Sequence, residues 1–315
     1  MYPDFLCIGA QKAGTSWLYK NLKHHPNIWL PPKKEIHYFD LLRESHKSRL
    51  ERMQTERWKR WFVQRLRHDL RTLYRQLSLR DVPWDMRYFF GKMGAEWYAS
   101  LFEPGRGKVA GDITPAYAIV NKDVTRHAFE IMPDAKLIFI LRNPMERAWS
   151  MARMAHGNKG RCFENRADRV EDVPDEQFIS HFELRASRMR GDYLRTLDNW
   201  LSVFPEQQMF IAFLEDIARR PRELLIDVYK FLGVNDSEAY LPETAIEKVH
   251  AKKSVPIPEN LGRYLAQMHY EQIQQLAQRV SGHQPGYIQE WIEMAETFLN
   301  SRPGNQLLQE NRKTT

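Results

Sequence analysis

Three short apolar runs, each delivered into a turn and then into a helix-forming stretch, constrain this chain more than any other feature. They are Phe5 to Gly9, Lys136 to Leu141 and Gln208 to Leu214. A continuous apolar run of this length, bounded by turn or helix-start residues, reads as a strand buried on both faces. Behind the first come a glycine turn and an amphipathic stretch from Thr15 to His24. Behind the second come Arg142-Asn143-Pro144 and a helical segment through Met154. Behind the third come Glu215-Asp216 and a helix from Pro221 to Leu232, closed by Gly233. A weaker fourth strand is read at Lys108 to Asp112. Strand, turn and helix in repetition predict an α/β fold, three-layered, with a central parallel sheet. Ligands of such folds bind at the carboxyl ends of the strands, so the residues just after these runs are the first candidates for function.

The 315 residues allow two domains at roughly 150 residues each, or one large α/β domain with insertions. A chain 43% hydrophobic and 28% charged has material for a real core, which excludes a disordered or fibrous protein. The formal charge of +7 favours an anionic partner: a nucleotide, a nucleic acid, an acidic glycan or a membrane surface. Two cysteines, Cys7 and Cys162, build no disulfide framework and suit a reducing compartment. The first apolar run is too short for a signal peptide or a span, and we read a soluble, cytoplasmic protein without stable membrane insertion. Residues 43–80 differ from the rest, with twelve Lys or Arg against four Asp or Glu and with Trp58, Trp61 and Phe62 interleaved. We read a basic helical insertion there, either a solvated helix pair or a lid over an acidic or extended substrate.

The first strand delivers Gly9-Ala10-Gln11-Lys12-Ala13-Gly14-Thr15-Ser16-Trp17. A glycine turn opening a helix is an anion site, because first-turn N–H groups have no helical partner and the helix dipole adds positive potential. Lys12 adds a full charge, and Thr15 and Ser16 add hydroxyls. The loop resembles G-x-x-x-x-G-K-[ST], yet its lysine lies two places before the second glycine, where it would sit beside a phosphate nearer the nucleoside. Arg142 stands at the end of the second strand, placed to grip a phosphate bidentately. Ser150 follows eight residues later and reaches the same anion only if the chain bends after Pro144. Arg147 reads as structural, paired with Glu146 or a neighbouring acid.

The segments QKAGTSWL and LRNPMERAWS together resemble the sulfotransferases that use 3′-phosphoadenosine 5′-phosphosulfate (PAPS). The resemblance continues through Tyr193-Leu194 to Trp200-Leu201, Phe204-Pro205-Glu206-Gln207, Phe213-Leu214-Glu215-Asp216 and Phe231-Leu232-Gly233, and leaves 41–100 and about the last forty residues unmatched. It implies a single sulfotransferase domain over 1–315, P-loop-like, with 41–100 as a helical substrate-binding insertion. It also implies that Lys12, Ala13, Gly14, Thr15, Ser16 and Trp17 bind the 5′-phosphosulfate, that Arg142 and Ser150 bind the 3′-phosphate, and that adenosine 3′,5′-bisphosphate is the product.

After Pro31-Pro32 comes Lys33-Lys34-Glu35-Ile36-His37-Tyr38-Phe39-Asp40. By physics alone, the lysines lower the glutamate's pKa and burial raises it. The run is similar to one in the glycan-modifying, heparan-type sulfotransferases. That likeness implies Glu35 as general base, with His37 and Asp40 holding its geometry. Gly111-Asp112-Ile113-Thr114-Pro115-Ala116-Tyr117 resembles the same branch, which carries a lysine where this chain has Ile113. Asp112 either positions the acceptor or caps the Thr114-Pro115 turn. His250-Ala251-Lys252-Lys253-Ser254 matches a basic loop over the nucleotide only loosely, and Lys253 is a donor clamp or a solvated charge. The expected function is sulfuryl transfer from PAPS to a carbohydrate or natural-product hydroxyl, with no metal and no nucleic acid. The alternatives are a P-loop nucleotide kinase or NTPase and a non-catalytic binder of acidic glycan or nucleic acid.

Overall fold

The computed structural model describes residues 1–44, 82–156, 173–246, 255–282 and 285–301. The basic run from 45 onward, Cys162, Lys253 with its neighbours 250–254 and the tail lie outside the described residues.

Strand β1 (Phe5–Gly9) is buried at every position, as a two-sided apolar run requires. It leads through the glycine turn into α1 (Thr15–Leu22) and then into β2 (Ile28–Trp29). Helices α2 (Val82–Phe90) and α3 (Ala95–Ser100) precede β3 (Val109–Ile113). Helix α4 (Lys122–Ile131) begins at Asn121, whose side chain accepts the Val124 N–H as an N-cap. Strand β4 (Lys136–Leu141) turns into α5 (Pro144–His156), where Asn143 Oδ1 accepts the Met145 N–H at 2.9 Å and starts the helix. Three helices follow: α6 (Asp175–Glu183), α7 (Arg185–Gly191) and α8 (Tyr193–Leu201). Strand β5 (Met209–Phe213) then leads into α9 (Leu214–Arg219) and α10 (Pro221–Leu232). The last of these closes on Gly233 at φ 78°, the left-handed C-cap its sequence calls for. Helices α11 (Glu259–Arg279) and α12 (Pro285–Asn300) complete the described chain.

The strands form one sheet in the order β2-β3-β1-β4-β5, and every pairing is parallel. From β1 the chain runs to β2 at one edge of the sheet, and from β4 it runs to β5 at the other. The connections therefore diverge at β1 and β4, and such a divergence opens a crevice at the carboxyl ends of those two strands. That crevice is where the Lys12 loop and Arg142 emerge. The expected α/β architecture, a parallel sheet with helices around it, is what the chain adopts.

The core is centred on β1 and β4, where Phe5, Leu6, Leu137, Ile138 and Phe139 are fully buried. Burying each such side chain stabilises the fold by about 1.5–3 kcal/mol. Gly111 on β3 is needed for this packing, since a Cβ there would fall 2.1 Å from Phe5 Cζ. Residues 82–100, read from the sequence as part of an insertion, are packed into the same core. Trp84, Tyr88 and Tyr98 are buried, and Tyr98 stacks on Tyr38 with ring centroids 4.4 Å apart.

Candidate functional site

The loop between β1 and α1 takes its shape from two left-handed residues, Lys12 at φ 73° and Gly14 at φ 89°. At Gly14 a Cβ would also lie 2.4 Å from Ile217 Cδ1, the end of a side chain that would have to shift. As the N-cap of α1 it contributes no side-chain cap, so it does not compete for the first-turn N–H groups. Ala13 and Trp17 are buried, and Trp17 Nε1 donates to the Ala245 carbonyl at 2.8 Å. Their side chains are therefore scaffold. Lys12 extends towards α5, its Nζ 3.7 Å from Met154 Sδ.

Arg142 leaves the end of β4 and meets this loop directly. Its Nη1 donates to the Lys12 carbonyl at 3.0 Å, and its Nε and Nη2 face Glu146 Oε2 at 3.4 Å. Its own carbonyl accepts the buried Tyr193 hydroxyl at 2.7 Å. Lys12 and Arg142 thus share one crevice. Ser150 lies partly exposed on α5. Arg147 does not take Glu146, which faces Arg142 instead. It is wholly buried and donates from Nη2 to the Ser187 carbonyl at 2.9 Å.

The segment carrying Glu35 comes to the same place. Lys34 Nζ lies 3.1 Å from Thr15 Oγ1, 3.3 Å from Ser16 Oγ and 2.9 Å from Glu35 Oε1, joining the loop to the carboxylate. His37 Nε2 is 3.5 Å from Glu35 Oε2, and its Nδ1 bonds Asp40 Oδ2 at 2.8 Å. Burial works to raise the Glu35 carboxyl, but the bonds from His37 and Lys34 outweigh it and hold it at about 2. Burial likewise works to lower His37, but Asp40 and Glu35 lift it to about 9. At neutral pH the group is a carboxylate between an ammonium and an imidazolium.

The backbone here is strained. Glu35 at φ 68° and His37 at φ 56° are left-handed residues with side chains, each costing about 1–3 kcal/mol. What holds them is a buried network on Asp112. Its carboxylate accepts from Thr114 Oγ1 at 2.7 Å, Tyr117 OH at 2.7 Å and Tyr98 OH at 3.0 Å. Thr114 Oγ1 in turn accepts the Ile36 N–H at 2.9 Å, and the Tyr117 oxygen accepts the Tyr38 N–H at 3.0 Å. Asp112 is fully buried, and burial raises its pKa against the pull of these three hydroxyls. It organises the Glu35 segment from beneath.

A model of the sulfotransferase family matches residues 3–238. The chain belongs to that family. It is 25% identical over 292 residues to the bifunctional heparan sulfate N-deacetylase/N-sulfotransferase 1 of Caenorhabditis briggsae, covering 89% of this chain and 28% of that protein. It is 26% identical over 272 residues to carbohydrate sulfotransferase 15 of Mus musculus, covering 74% of this chain and 44% of that one. The chain spans less than half the length of either relative. A sulfotransferase crystal structure from Alicyclobacillus acidocaldarius superposes with a TM-score of 0.57 at 24% identity, covering 89% of this chain and 96% of that one. The sulfotransferase domain of the Synechococcus PCC 7002 olefin synthase gives 0.51 at 16% identity over 96% of each chain. These two share the fold.

Two features of this chain were not legible from its motifs. Ile113 is buried in β3, and a second ammonium reaches the loop from Lys34 instead. It is Lys34, not Lys33, that does so. Lys33 goes the other way, with Nζ 4.5 Å from the Tyr88 ring centroid. Among the described residues no group of three or more His, Cys, Asp or Glu is placed to hold a metal ion, and no helix is long and apolar enough to cross a membrane.

Proposed function

We propose that the chain transfers the sulfuryl group of PAPS to a hydroxyl on a carbohydrate or natural-product alcohol. The observation that supports this best is the 3.0 Å bond from Arg142 Nη1 to the Lys12 carbonyl. It puts a strand-end guanidinium and an anion loop in one crevice, and a donor with anionic groups at both ends suits that pairing. The basic side chains present (Lys12, Lys34 and Arg142) fit such a ligand in sign and in position. PAPS supplies the sulfuryl group and leaves as adenosine 3′,5′-bisphosphate.

The chain's own residues supply the rest. Lys12 and the N–H groups of residues 13–16 stabilise negative charge on the departing phosphate. Arg142 and Ser150 hold the 3′-phosphate. Glu35 accepts the hydroxyl proton as the acceptor oxygen bonds to sulfur and the sulfur–phosphate oxygen bond breaks. His37, anchored by Asp40, keeps the carboxylate in place. Carbohydrate acceptors are proposed because the two relatives are enzymes of heparan sulfate and carbohydrate sulfation.

The test is incubation with labelled PAPS and a panel of glycans, amino sugars, phenols and lipid alcohols, read by mass. Sulfate gained by a hydroxyl acceptor is expected, with turnover unchanged by a chelator. Stabilisation of the protein by ATP·Mg²⁺ but not by adenosine 3′,5′-bisphosphate would overturn the reading in favour of a kinase.

A further inference from the structure

An ammonium has three protons, and the three oxygens around Lys34 Nζ belong to two different machines: Thr15 and Ser16 to the loop, Glu35 to the base. Lys34 is mostly buried, at 18% exposed. An anion seated in the loop has to engage the same Thr15 and Ser16 hydroxyls, and it presents more negative charge than a carboxylate. We propose that Lys34 is a positioning residue that couples donor binding to the base. With the crevice empty its ammonium is clamped on Glu35, and an anionic phosphosulfate in the loop draws it off, leaving the carboxylate ready to take a proton. The inference rests on the reading that PAPS enters this loop.

The electrostatics give the coupling its direction. A carboxyl at about 2 is a weak proton acceptor, since a general base works best with a pKa near the working pH. Removing one of its two cationic neighbours raises it. The other groups around the pair cannot respond in the same way. Cys7 on β1 is pushed up to about 12 by burial and stays neutral. Asp112 on β3 is tied by Thr114, Tyr117 and Tyr98. His37 is fixed by Asp40, which in turn feels Arg190 of α7. Lys34 is the member of the group bonded to both loop and base. The consequence is order: the base is armed only after the donor has bound.

The test is to follow the Glu35 carboxyl by carbon-detected NMR against pH, with and without adenosine 3′,5′-bisphosphate, whose 5′-phosphate is the probe for the loop. E35Q assigns the resonance. In the wild type the nucleotide is expected to raise the Glu35 pKa by about one unit or more. In K34M the pKa is expected to stand higher already and to stay there when nucleotide is added, while K34R restores the wild-type response. An unchanged Glu35 pKa in the wild type, with calorimetry showing the nucleotide bound, overturns the coupling and leaves the sulfotransferase reading standing. Absence of nucleotide binding by calorimetry removes the donor reading and the coupling with it. If K34M fails to fold, K34Q carries the same comparison: a nucleotide-induced rise as large in the Lys34 variant as in the wild type comes from the ligand's own charge and overturns the coupling.

Discussion

Glu35 is where opposing influences on one carboxyl can be weighed. Burial favours the neutral acid, while His37 and Lys34 favour the anion, and the two cations win. Glu35→Gln keeps the shape and removes the proton acceptor. It is expected to lower kcat by about 10²–10⁴-fold with affinity for adenosine 3′,5′-bisphosphate retained. Equal loss of both would give Glu35 a role in the donor site instead. The same group sets a pH signature. Glu35's folded pKa lies below its usual 4.5, so its stabilisation is present above that value and is lost as pH falls towards 2. His37's folded pKa lies above its usual 6.5, so its stabilisation is complete below that value and is lost as pH rises through about 9. Wild-type Tm should therefore decline between pH 6.5 and 9 more steeply than that of His37→Gln. Parallel curves would mean that the imidazolium contributes nothing.

At the scale of elements, the two turns that form the site are maintained from below. The Lys12 turn depends on Gly14, whose left-handed φ strains any side chain placed there. Gly14→Ala is expected to destabilise the protein by about 1–3 kcal/mol in urea unfolding. A neutral result would show that the loop relaxes freely. The Glu35 turn depends on Asp112, which takes three hydroxyl bonds. Asp112→Ala leaves buried donors without an acceptor at about 1–3 kcal/mol each, so unfolding should move by several kcal/mol and kcat should fall as the turn loses its anchor. Much of this scale was readable from the sequence. Strands β1, β4 and β5 and helix α10 were visible because an apolar run, or a Pro-to-Gly span, is a local signal. The two residues of β2 carry no such signal, and they are a strand only because they pair with Val109 and Ala110 of β3. The docking of residues 82–100 was hidden for the same reason: Tyr98 finds Tyr38 and Asp112 across sequence distance. Within the site, glycine spacing and a strand-end arginine announced Lys12 and Arg142. Lys34 was masked by its twin Lys33: only the folded chain sets Lys33 over the Tyr88 ring and Lys34 against Thr15, Ser16 and Glu35.

At the scale of the whole molecule, parallel pairing of β1 with β4 sets two distant segments of sequence side by side. The loop and the arginine lie 130 residues apart in sequence and 3.0 Å apart in space. The proposed function reads that adjacency as the seat of one nucleotide, held at its sulfated end by the Lys12 turn and at its ribose phosphate by Arg142. Calorimetry of adenosine 3′,5′-bisphosphate against adenosine 5′-monophosphate, on wild type and Arg142→Gln, tests it most directly. The wild type is expected to bind the bisphosphate about 10-fold to 100-fold more tightly, as one charge-assisted contact of about 1.5–3 kcal/mol allows, and Arg142→Gln to erase the difference. Equal wild-type affinity for the two nucleotides would contradict it.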